Sequence, residues 1–137
     1  YKITPMPKLK RNLKNTNCLP NMEKFENILN TIKLAWEQLQ PELLSNVLGK
    51  NLNYYETPNQ TPLKDAEQVI GQWHTDLATQ SAVKIKYNII KAKDDVCIAT
   101  WEATWHDESK GHIDAEGVFY IEVDNEGKLE EFRQWWV

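Results

Sequence analysis

The chain has 137 residues, 41% of them hydrophobic and 26% charged. That is enough for one domain with a core of its own and is an ordinary soluble composition. No apolar run approaches the roughly 20 residues that a membrane-crossing helix needs. The formal net charge of −4 is unevenly spread. Residues 1–20 carry Lys2, Lys8, Lys10, Arg11 and Lys14 and no acid, so the remainder is markedly acidic.

A basic segment can touch nucleic acid or an anionic membrane. An acidic body repels phosphate, and Pro5, Pro7 and Pro20 break regular structure, so residues 1–20 read as a solvated, flexible leader with neither partner. They lack the apolar stretch of a signal peptide. Cys18 and Cys97 lie far apart without metal spacing. Free thiols in a reducing, cytoplasmic setting are expected.

The elements follow in order over a single domain, residues 21–137. Asn21 reads as the cap of a helix over 22–40, with Phe25, Ile28, Leu29, Ile32, Ala35, Trp36 and Leu39 in one stripe. Pro41 ends it and starts a short second helix through Leu43, Leu44, Val47 and Leu48, with Gly49 as its stop. Residues 52–56 read as a strand, 57–62 as a loop, and 63–78 as a third helix carrying Val69, Ile70, Trp73 and Leu77 on one side. Strands are expected over 83–93, 96–106, 112–123 and 129–137. In the second of these, Cys97, Ala99, Trp101, Ala103 and Trp105 alternate with Val96, Ile98, Thr100, Glu102 and Thr104. Period two implies antiparallel neighbours and two distinct faces.

Three passages carry a resemblance. They are Pro41-Glu42-Leu43-Leu44 through Tyr54-Tyr55-Glu56-Thr57-Pro58, then Ala66-Glu67-Gln68-Val69-Ile70 to Trp73. The third is Val118-Phe119-Tyr120-Ile121-Glu122-Val123-Asp124-Asn125-Glu126-Gly127-Lys128-Leu129 to Trp136. With the order α-α-β-α-β-β-β-β, the chain resembles the NTF2-like, or SnoaL-like, superfamily over about residues 22–137. The resemblance implies an α+β cone, with three N-terminal helices in the hollow of a strongly curved, mainly antiparallel sheet. It also implies a pocket walled by Trp36, Tyr54, Trp73, Trp101, Trp105, Phe119, Phe132 and Trp136, with Cys97 on the same strand face. Large aromatics also serve simply to fill a core.

Glu56 is the candidate catalytic residue. It ends the first strand where the ketosteroid isomerases of this superfamily carry their general-base aspartate. A carboxylate beside tryptophans is desolvated, which raises its pKa toward neutrality. The isomerases' two oxyanion donors correspond to Ile32 and Phe119, neither of which can donate, so steroid isomerase chemistry is not expected. Glu102, His112, Asp114 and Glu116 share the opposite sheet face with one another and read as cross-strand polar pairs or a subunit contact. His106-Asp107-Glu108 and His112-Ile113-Asp114 have ligand-type side chains in no defined spacing, so no metal is expected. His74, adjacent to Trp73, diverges from it by about 100° around the helix.

The outer sheet face offers Val96, Ile98, Val118, Tyr120, Trp135 and Val137, which predicts a homodimer through the sheet. The expected function is binding of a small apolar or aromatic molecule in a tryptophan-lined pocket, without a cofactor. Alternatives are an isomerase, dehydratase or polyketide cyclase using Glu56 as acid/base, or a protein-interaction module like nuclear transport factor 2.

Overall fold

The computed structural model describes residues 19–137. Cys18 and nearly all of the basic leader lie outside the described residues. The elements are α1 (Leu19–Glu37), a 3-10 turn (Pro41–Asn46), β1 (Leu48–Tyr55), α2 (Ala66–Leu77), β2 (Gln80–Lys93), β3 (Val96–Asp107), β4 (Gly111–Val123) and β5 (Leu129–Trp136).

Helix α1 starts three residues before the expected Met22, so Asn21 falls inside its first turn and is not its cap. It also ends earlier than the stripe suggests. Leu39 takes a left-handed φ of 55°, the Gln40 amide donates to Ala35 O at 2.8 Å, and the Leu39 amide donates to Trp36 O at 3.2 Å. This double closure satisfies the last carbonyls of the helix. It leaves Gln40 extended, at φ −126° and ψ 76°, as a residue before proline prefers.

Gly49 lies within β1 and stops no helix. A Cβ there would come within 2.5 Å of Leu129 O on β5. The glycine therefore marks a close approach of two backbones, and the strand begins at Leu48 instead of near Leu52. Leu63 belongs to no helix; it pairs with Tyr54 as an isolated bridge. Asp65 then caps α2, accepting from the Gln68 amide at 2.8 Å.

The five strands form one sheet ordered β1-β5-β4-β3-β2. β2, β3, β4 and β5 pair antiparallel in sequence order. β1 lies parallel to β5, the one parallel pairing among the described residues. The result is a mixed, mainly antiparallel α+β cone. On the concave face of β3, small and large side chains alternate: Cys97, Ala99, Trp101, Ala103 and Trp105 are all buried. Phe25, Ile28, Leu29 and Ile32 of α1 join the same core, themselves at most 2% exposed, and α1 packs chiefly against β2 and the 3-10 turn. No helix among the described residues is long and apolar enough to cross a membrane.

Candidate functional site

A cavity of about 440 Å³ opens at one end of the cone. The last turns of α1 and α2, the ends of β1, β3 and β5, the starts of β2 and β4, and the β1–α2 loop all converge there. Of the residues nominated from the sequence, Trp36, Tyr54, Glu56, Trp73, Trp105 and Trp136 line it. The remaining nominated pocket residues do not reach it. Trp101, Phe119 and Phe132 are 2%, 2% and 1% exposed and form a packed layer behind the cavity. Trp101 stacks on Phe119 at 5.5 Å, Phe119 meets Phe132 at 5.2 Å, and Phe132 stacks on Tyr54 at 4.7 Å. This correction has a simple origin. Strand parity tells inside from outside, and an inward side chain near the closed end of a cone meets other side chains instead of space. Cys97 belongs to the same core. Burial pushes its thiol up to about 11, leaving it unreactive.

Tyr54 and Trp73 are locked together, the indole N–H donating to the Tyr54 hydroxyl at 2.8 Å. Burial raises the Tyr54 pKa well above the ordinary phenol range, so the hydroxyl stays protonated. The Trp36 indole donates to Gln80 Oε1 at 2.8 Å. Trp36 meets Trp73 edge-on at 6.4 Å and tilts against Trp105 at 5.5 Å. Tyr55, on the other side of β1, carries the Arg133 guanidinium over its ring at 3.8 Å.

Glu56 sits half-buried at the end of β1. Desolvation, and then the charge and hydrogen bond of Asp76 beside it, push its pKa up to about 7. Asp76 is the functional candidate that the sequence reading missed. It lies three residues after Trp73 on α2, a spacing that puts both on one helix face, and that spacing was the available signal. Thr57, Gln60, Thr79, Gln80, Asp107, Lys110 and Gln134 complete the polar part of the wall. Asp107 is a turn anchor. It accepts from the Ser109 hydroxyl, the Thr79 hydroxyl and the Ser109 and Lys110 amides, which hold its carboxyl down at about 2.

The other nominated groups lie elsewhere. His74 points away from the cavity to Glu42 Oε2 on the 3-10 turn. Glu102 faces Glu116 on one side and Lys86 on the other, and His112 pairs with Asp114 at 2.8 Å, all on the outer face. Among the described residues no group of three or more His, Cys, Asp or Glu side chains is arranged to hold a metal ion.

No protein-family model and no curated protein matches the sequence. The fold is that of the NTF2-like, or SnoaL-like, superfamily. Solved structures with this architecture include a protein assigned as a SnoaL-like polyketide cyclase from Jannaschia sp. CCS1. It has 13% identity and a TM-score of 0.71, with 85% of this chain and 86% of that one covered. SalBIII, an epoxide hydrolase/cyclase-like enzyme in pyran ring formation of the polyether salinomycin, aligns at 11% identity and a TM-score of 0.71, with 85% and 93% covered. An epoxide hydrolase of Mycobacterium tuberculosis, described as LEH-like, aligns at 12% identity and a TM-score of 0.63, with 84% of each chain covered. At these identities the likeness defines the fold and no activity.

Proposed function

We propose that this protein binds a small molecule in the tryptophan-lined cavity and transfers protons to and from it through the Glu56–Asp76 carboxyl pair. It would act as an enzyme of the isomerase, dehydratase or cyclase kind. The observation that carries this reading is Glu56 itself: half-buried at the cavity wall, its pKa raised to about 7 with Asp76 adjacent. Two carboxyls that cannot both ionise freely divide the labour, one giving a proton while the other takes one. The Tyr54 hydroxyl accepts from Trp73 and keeps its own proton available. Ile32 and Phe119 are buried in the core, so these two positions supply no oxyanion donor to the cavity. Reactions in which the acid protonates a substrate oxygen directly, such as ring opening, ring closure or loss of water, suit the site better than enolate formation.

The test is turnover. The wild type and Glu56→Gln would be incubated with cyclic epoxides, enones and β-hydroxy ketones, with products followed by mass spectrometry. A reaction that falls about 100-fold or more in the variant, with melting unimpaired, is expected. No product from any class, together with a Glu56 carboxyl titrating in the ordinary carboxylate range by carbon-13 NMR, would overturn the reading.

The second element of the proposal is a homodimer through the outer sheet face. Ile98 faces Tyr120 and Val118 faces Trp135 across adjacent strands. Ile98, Trp135 and Val137 are 38%, 39% and 88% exposed, a contiguous apolar patch of the kind that marks interfaces. Sedimentation at micromolar concentration is expected to give a dimer that Trp135→Lys dissociates. A wild-type monomer across that range would exclude it.

A further inference from the structure

The cavity wall presents three carboxylates, Glu56, Asp76 and Asp107, against the one ammonium of Lys110. Asp107 carries four hydrogen bonds of the hairpin turn and Asp76 one, from Gln72 Nε2 at 2.9 Å, which leaves Glu56 and the rest of the Asp76 carboxyl to meet a ligand. The indole N–H groups of Trp36 and Trp73 already donate to Gln80 and Tyr54, so these rings meet a ligand through their carbon framework and no indole hydrogen. Trp73 and Asp76 stand one helical turn apart on the same face of α2, which sets a carboxylate beside an aromatic ring.

The three possible ligand charges fare differently here. A neutral apolar body would strip water from the carboxyl pair and return no partner, at a desolvation cost. An anion would add repulsion to the same cost. A cation would offset it and gain the attraction of indole faces for positive charge.

We propose that the ligand of this cavity is a small organic cation, an apolar body bearing a protonated or quaternary amine. Its charge is held between the carboxyls of Asp76 and Glu56 and the indole of Trp73. The inference rests on the cavity being the ligand site proposed above and names the class of molecule that occupies it.

Three probes of one shape separate the possibilities: choline, 3,3-dimethylbutan-1-ol and 3,3-dimethylbutanoate, carrying positive, zero and negative charge on the same branched body. Binding to the intact protein would be measured by calorimetry and by tryptophan fluorescence. Choline is expected to bind about tenfold tighter than the alcohol, the butanoate weakest of all, and Asp76→Asn to erase most of the preference for choline. Asp76→Asn is nearly isosteric, and its melting curve shows whether it is folded. If it is not folded, Glu56→Gln is to reproduce the loss. Equal binding of choline and the alcohol would overturn the proposal. So would preferred binding of the butanoate that Lys110→Gln abolishes, or no binding of any probe. In each of these cases the NMR titration of Glu56 decides the acid–base reading separately. If choline binds and Glu56 titrates like an ordinary carboxyl, the proton-transfer reading falls and the cation site stands.

Discussion

Replacing Glu56 with Gln should make the protein more stable at and above neutral pH, the opposite of what losing a useful contact does. In the unfolded chain the carboxyl titrates near 4.5, and in the folded protein near 7. Between those values the folded state holds a proton that the unfolded state has released, so raising the pH favours unfolding. This contribution to stability is fully present below about pH 4.5, is lost across the window, and stays lost above about pH 7. At about 1.4 kcal/mol per pH unit the unscreened ceiling is about 3 kcal/mol. Glu56 is only half-buried, and solvent screening reduces this to about 1–2 kcal/mol. Gln keeps the volume and the hydrogen-bonding capacity without the charge.

The assay is urea unfolding of the wild type, Glu56→Gln and Asp76→Asn between about pH 5 and 8. Subtracting the Glu56→Gln curve from the wild-type curve removes what the titrating groups not coupled to Glu56 contribute. That difference should move by about 1–2 kcal/mol in favour of the variant as the pH rises. Asp76→Asn should weaken the pH dependence without removing it. Desolvation is the larger cause of the raised pKa and the Asp76 charge the next. Parallel wild-type and Glu56→Gln curves, or a variant less stable at about pH 8, would refute the reasoning.

Gly117→Ala should destabilise the protein by about 3 kcal/mol or more, lowering the thermal midpoint. The added Cβ would stand 1.9 Å from Trp135 O and 2.9 Å from the Trp101 ring, and a backbone oxygen on a paired strand has little room to yield. A midpoint within a few degrees of wild type would show that β5 can shift. Tyr54→Phe should cost about 1–3 kcal/mol by leaving the Trp73 indole N–H without its acceptor. It should also change Trp73 emission in the folded state. Unchanged stability and emission would mean that the indole finds another partner.

Local rules made the cone legible. β3 and β4 alternate so regularly that their two faces follow from the residues alone, whereas the register of β2 on β3, which shifts between Ser81 and Lys84 and between Ile89 and Lys91, does not; Pro41 marked a break after α1. Two boundaries were hidden because the physics lies outside the local window. Gly49 looks like a helix stop, yet it is glycine because Leu129 O lies 2.5 Å from where a Cβ would be, across a parallel pairing that no turn announces. α1 ends at Glu37 because Leu39 adopts a left-handed conformation, which a leucine rarely does and a sequence reading does not assume.

Depth within the cone was the other quantity that the sequence could not supply. Trp101 and Trp105 have the same parity on β3, yet Trp101 is sealed in the core and Trp105 reaches the cavity. The difference lies in what stands opposite. Trp101 lies across from Gly117, where a missing side chain lets the indole sit down onto β4, with Phe119 stacked on it and Trp136 edge-on at 4.9 Å. Trp105 lies across from Ile113, a residue of the cavity wall, with Trp36 of α1 tilted against it at 5.5 Å.

The filled base and the open mouth thus have one cause, and it bears on chemistry. Ile32 and Phe119 fall in the filled part and are packed into the core. Glu56, at the end of β1, falls in the open part and lines the cavity beside Asp76. This layout suits the proton transfer proposed above better than enolate stabilisation. Placing a hydroxyl at Phe119 should yield a destabilised core and no enolisation, because at 2% exposure it meets the aromatic layer instead of a substrate.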